Sequence, residues 1–130
     1  MTLPLICLLI IIAIPFVLAG VGGYFRRSQL GSLDNHSPRE QARELSGAGA
    51  RVYAAQKNAW EATAVFTAAV LTAHVVGADP RMSCWLAMAF VAFRVLHAIC
   101  YIADWATPRS LTFIGGLVSA VWLFLLGPAG

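Results

Sequence analysis

Two short runs of the chain carry the side chains that could do chemistry. The first, RVYAAQKNAWE, brings Arg51, Gln56, Lys57, Asn58 and Glu61 together within eleven residues. The second, FRVLHAICYIADWATPR, carries Arg94, His97, Tyr101 and Arg109. Ala54, Asn58 and Glu61 follow i, i+4, i+7 spacing, and Arg94, His97 and Tyr101 follow i, i+3, i+7. Each set therefore lies on one face of a helix. Basic, amide, imidazole and phenol groups converging on one side suit an acidic, polar, peptide-like ligand. Cys7, Cys84 and Cys100 stand singly in separate segments with no Cys/His ligand spacing, so they read as small apolar residues and no metal site is expected.

Depth along the helices sharpens this. In a helix that enters the membrane near Ala50, Asn58 lies roughly 12 Å deep and Glu61 roughly 16 Å. In one that leaves near Asp104, Tyr101 lies roughly 5 Å deep, His97 roughly 10 Å and Arg94 roughly 15 Å. Glu61 thus faces the level of Arg94, and Asn58 that of His97. An ionised side chain at such depth costs a few kcal/mol unless paired or hydrated. The spacing predicts an inward-facing cluster with Glu61 bridged to Arg94, open toward one membrane surface, with Arg109 covering its mouth. Glu61, Arg94 and Asn58 could equally form a purely structural clamp, and Tyr101 and Arg109 taken singly are ordinary interface residues.

The elements that must position these residues are membrane spans. Of 130 residues, 59% are hydrophobic and 12% charged; a soluble domain carries about twice that charge. Four apolar segments, roughly Leu3–Phe25, Ala50–Val76, Met82–Ala103 and Arg109–Leu126, are near or above the roughly 20 residues that cross a bilayer. They use most of the chain, so residues 1–130 form a single domain. The fold class is all-α, an integral-membrane up-and-down four-helix bundle. No Lys or Arg precedes Arg26, so the first segment reads as an uncleaved span rather than a signal peptide. In the connecting loop, SPRE starts a short surface helix reaching about Ser46, with Ser37 as cap, Pro38 in first position and Glu40 closing a capping box. TPRS repeats the pattern, with Thr107 as cap and Pro108 in first position. GGLVSA puts Gly115 with Ser119 and Gly116 with Ala120 at small-xxx-small spacing, which favours close helix contact in lipid. Trp85 and Trp105 suit aromatic-belt anchors, and His74 receives no role.

The formal charge of +3 invites a nucleic-acid partner, but its distribution excludes one. Arg26, Arg27, Arg39, Arg43 and Arg51 lie between the first two spans, Arg109 shares that face, and Arg81 stands alone on the other. This is the positive-inside pattern, with the basic face cytosolic and both termini non-cytosolic.

RVYAAQKNAWE and FRVLHAICYIADWATPRS together resemble the MAPEG superfamily, the membrane-associated proteins of eicosanoid and glutathione metabolism. Ala55, Asn58 and Glu61 match its A-x-x-N-x-x-E core. Arg94, His97 and Tyr101 match R-x-x-[YH]-x-x-x-Y, followed by an arginine, here Arg109. The resemblance, to the microsomal glutathione S-transferase-like and bacterial-type members, implies a homotrimer that binds glutathione between subunits at the cytosolic side. Such a member joins the thiol to lipophilic electrophiles or reduces lipid hydroperoxides, taking its second substrate from membrane lipid. Carried over by position, Asn58, Glu61, Arg94, His97 and Tyr101 line the tripeptide site, with Gln56 and Arg51 at its rim. Arg109 takes the place of the catalytic arginine that holds the thiolate, aided by the positive end of its helix. Two positions depart from the pattern: Ala54 stands where glutathione-using members commonly carry arginine, and Ala64 where a proline is usual. Arg51, one turn earlier, or Lys57 could substitute for that arginine. Two other functions stay open at this stage. One is a non-catalytic lipid-binding scaffold of the same family. The other is a small proton-coupled multidrug transporter, although its membrane glutamate belongs in a first helix that here has no ionisable residue within its apolar run.

Overall fold

The computed structural model describes residues 1–128. Among the described residues five helices run in order: α1 (Leu3–Leu30), α2 (Pro38–Arg43), α3 (Gly47–Val75), α4 (Pro80–Ile102) and α5 (Ala106–Leu125). Among the described residues, α1, α4 and α5 are both long and apolar enough to cross a membrane. The sequence predicts four such segments. α3 has the length but falls short in apolarity, because Arg51, Lys57, Asn58 and Glu61 crowd its first half and His74 stands near its end.

The four long helices share one core. Cys7, Leu8 and Ile11 of α1 meet Phe66, Ala69 and Val70 of α3, Leu86, Ala87 and Phe90 of α4, and Ala120 and Leu123 of α5. Phe66 and Phe90 stack face to face with centroids 4.1 Å apart. The helices alternate in direction. Gln29, near the end of α1, exchanges two hydrogen bonds with the backbone of Ser46, just before α3. The first turn of α3 reaches the end of α4, where Arg51 Nε donates to the Ile102 carbonyl at 2.9 Å. At the far end an isolated bridge joins Ala78 to Pro128.

Short connections need residues that turn the chain sharply. α3 closes on Gly77 (φ 67°), with the Ala78 amide donating back to the Ala73 carbonyl at 2.9 Å. α4 closes the same way on Asp104 (φ 62°), with Trp105 N–H bonded to the Cys100 carbonyl at 2.9 Å. Both are Schellman motifs. Asparagine or glycine would adopt that backbone more easily, but the Asp104 carboxylate also stands 3.9 Å from Arg51.

Several local expectations are corrected. α1 continues beyond its apolar segment to Leu30, because nothing after Phe25 breaks a helix until Gly31 (φ 79°). Ser37 does occupy the cap position of α2, but its side chain makes no cap bond and Glu40 closes no box. Asp34 Oδ1 instead accepts from the amides of His36 and Ser37. α2 also ends at Arg43, short of Ser46. α5 begins at Ala106 after Trp105, so Thr107 and Pro108 already lie inside its first turn and Thr107 caps nothing.

Pro15, buried within α1, lacks the N–H that would bond the Ile11 carbonyl. The hydroxyl of Thr63 on α3 lies 3.4 Å from that oxygen and 2.9 Å from the Ala59 carbonyl, so it serves both helices. Such local rescue is what permits proline in an apolar helix.

The small residues of α5 bring it close to α4, as the spacing predicts. A methyl group on Gly115 would stand 2.6 Å from the Phe93 ring. Gly115→Ala should therefore cost about 1–3 kcal/mol through overpacking. Adding Phe93→Ala should return part of that loss, since neighbouring substitutions couple. Thermal unfolding of both single variants and the double variant measures this, and strictly additive losses would show that the ring is not the obstacle.

Candidate functional site

Asn58 and Glu61 enter the site from α3, one turn apart. Arg94 enters from α4 and is only 6% exposed. Its guanidinium donates through Nη2 to the Asn58 side-chain oxygen and, at 3.3 Å, to the Asn58 carbonyl. Gly116 of α5 packs against its stem: a methyl group there would lie 3.4 Å from Arg94 Cδ, an ordinary contact. The expected Glu61–Arg94 bridge does not form. Among the described residues the one ion pair within 4.0 Å is Arg51–Asp104. Asn58 meets Arg94 instead of lying at the level of His97, and points its oxygen across to α4 while Glu61 lies on the exposed side of α3.

Asn58, Glu61 and Arg94 form the polar end of a groove of about 220 Å³ whose walls include Val65, Phe90, Phe113 and Leu117. Nearer the α4–α5 turn, the Arg109 guanidinium lies over the Tyr101 ring at 4.7 Å from its centre. That geometry is a cation–π contact, and it leaves the guanidinium edge free.

His97 faces inward and is 4% exposed. Its Nδ1 is 3.0 Å from the Arg109 carbonyl, so Nδ1 carries the hydrogen and donates. Nε2 has no partner and the ring borders a void of about 10 Å³ beside Ile11, Ala59 and Arg94. The ring also meets Tyr101 edge-on at 5.6 Å. His97 thus ties the first turns of α5, and with them Arg109, to α4.

Gln56 faces another side of α3. It lines a cleft of about 580 Å³ between α1, α2 and α3, which also holds Arg26, Arg39, Arg43, Lys57 and Glu61. Glu61 therefore borders both the cleft and the groove. Arg51 borders neither, being engaged with Ile102 and Asp104. Sequence reasoning used Arg26, Arg39 and Arg43 only to orient the chain and missed the cleft they line. The signal was present: Tyr53, Gln56, Lys57 and Trp60 recur at i, i+3, i+4 and i+7, a second polar face on the same helix. Among the described residues no three His, Cys, Asp or Glu side chains converge as metal ligands.

The model of the MAPEG family matches residues 3–127, nearly the whole chain. The chain belongs to the MAPEG family. It is accordingly a membrane protein of a glutathione-transferase and eicosanoid type of family, whose members generally use glutathione and lipophilic substrates. No curated protein matches it. Within this MAPEG chain the two quoted motifs meet at the Asn58–Arg94 contact.

Proposed function

We propose that the protein is a glutathione transferase or peroxidase of the membrane. It crosses the bilayer four times as a four-helix bundle and works as a homotrimer, with the α2 end cytosolic and both termini on the other side. The observation that carries this reading is the position of Glu61 between two cavities on neighbouring faces of α3. One face offers a cationic cleft, the other a groove with a polar end and apolar walls. A heterologous ring sets one face of each subunit against the other face of the next. Three copies would then join cleft to groove, completing a site that a single chain holds only in halves.

In this arrangement the tripeptide lies along Asn58, Glu61, Arg94 and Tyr101, with Gln56 toward the rim and Arg51 held apart from it by Ile102 and Asp104. Arg26 and Lys57 in the cleft supply cations for its carboxylates in place of the arginine absent at Ala54. Arg109, stacked on Tyr101 and anchored through His97, offers its free edge to the sulfur. A thiol reacts as thiolate, and a fixed cation favours that form. The lipophilic partner reaches the sulfur along Val65, Phe113 and Leu117, where the bilayer delivers it by partition. Holding the two together supplies much of the rate.

Equilibrium binding of glutathione to the purified protein, with native mass spectrometry in mild detergent, tests the proposal. Binding by a three-chain species supports it. A monomer that binds with undiminished affinity removes the shared site. A trimer that binds no glutathione points to a lipid-binding scaffold instead.

A further inference from the structure

The protein has a cavity at the end remote from Arg109. It measures about 280 Å³ and lies between the start of α1, the α3–α4 turn and the start of α4, with Pro4, Val70 and Ala73 among its apolar walls. Its polar lining includes the His74 imidazole, the Cys84 thiol and the Ser83 hydroxyl. Among the described residues no Asp, Glu, Lys or Arg lines it.

Ser83 is the unusual member. Three serine or threonine side chains are buried among the described residues: Thr63, Ser83 and Ser119. Thr63 donates to Ala59 at 2.9 Å and Ser119 to Gly115 at 2.8 Å, each to the carbonyl four residues back. Thr67, Ser110 and Thr112 do the same on less buried surfaces. Ser83 has the Asp79 carbonyl at the same offset, already bonded to its own amide at 3.0 Å. Yet its Oγ has no partner among the described residues, although the residue is only 6% exposed. A buried hydroxyl without a partner requires an explanation, and this one lines a cavity.

We propose that this cavity is a second binding site, separate from the glutathione site, for a small uncharged lipophilic molecule carrying one hydroxyl or carbonyl oxygen. The oxygen pairs with Ser83 and the hydrocarbon part fills the apolar walls. No Asp, Glu, Lys or Arg is there to pair with an ionised ligand, and a pure hydrocarbon would leave Ser83 unpaired. The volume is close to the lower end of small-molecule sites, which begin at about 300 Å³. The exposed Trp85, one residue beyond Cys84, suits the membrane–water interface, where such amphiphiles concentrate.

Cys84 at the wall serves as reporter. The protein is made with Cys7→Ala and Cys100→Ala, placed in lipid nanodiscs and treated with a maleimide. Octanol is the probe and octane the matched hydrocarbon. A cysteine-free protein carrying Val76→Cys, exposed at the same end, controls for changes in the bilayer. The Cys84 rate should fall about tenfold once octanol reaches roughly ten times its dissociation constant, as mass action requires. Octane at equal membrane content should protect far less, and the Val76→Cys rate should not change. Ser83→Ala should erase the difference between octanol and octane, and Ala73→Phe should remove octanol protection by filling the cavity. Equal protection by the two probes in the parent, no protection by octanol, or a difference that survives Ser83→Ala would each overturn the proposal.

Discussion

Arg109→Ala is expected to leave glutathione bound and its thiol protonated. A free cysteine thiol titrates near 8.5, so only a few percent is ionised at neutral pH, and each unit of lowering corresponds to about 1.4 kcal/mol. On the proposed function, the parent protein saturated with glutathione should show the ultraviolet absorbance of a thiolate at neutral pH. The alanine variant should lose that signal and about 10²- to 10³-fold in turnover, as when one preorganised charge-stabilising donor is removed. Affinity should largely persist, because Asn58, Glu61, Arg94 and Tyr101 remain. The stacking geometry adds a control. Arg109 rests on the ring of Tyr101 rather than on its hydroxyl, so Tyr101→Phe should keep the thiolate and Tyr101→Leu should weaken it. A thiolate signal that survives Arg109→Ala would remove the arginine from the chemistry.

The second large effect is on stability, and it separates two carbonyl-bearing side chains one turn apart. Asn58→Leu removes the side-chain acceptor of a buried guanidinium and leaves it only the Asn58 backbone carbonyl, and hydrogen bonds to charged groups are worth about 1.5–3 kcal/mol. The thermal midpoint should fall by several degrees. Glu61→Gln should lower it less, because Glu61 is exposed and makes no ion pair within 4.0 Å, yet glutathione affinity should drop. Equal destabilisation by both substitutions would place Glu61 in the Arg94 contact after all.

That contrast shows what the sequence could and could not convey. Rise per residue is fixed by helix geometry, so the level of Arg94 was legible to within about one helical turn, the distance between Glu61, expected beside it, and Asn58, found there. Rotation about the helix axis is fixed by packing. With no partner helix in view, charge complementarity favoured Glu61, whereas the α3–α4 contact turns Asn58 toward the guanidinium. The apolar runs announced the long helices, but their ends depended on backbone details. Gly31 stops α1 five residues beyond Phe25, and Trp105 rather than Thr107 precedes α5. The orphan carbonyl behind Pro15 could be foreseen. That Thr63 would answer it could not, because the two meet only across the α1–α3 interface.

The modest apolarity of α3 bears on how the protein is made. On the proposed topology, a nascent α3 offers the translocon a segment that gains little from lipid, with Arg51, Lys57, Asn58 and Glu61 in its leading half. Only Val76–Asp79 separate it from α4, and the Asn58–Arg94 contact spans the two. They can therefore partition together as a hairpin, each shielding the other's polar groups, instead of one at a time. A ribosome stalled before Arg94 would leave α3 without that shield, stranded at the membrane surface and open to quality-control proteases.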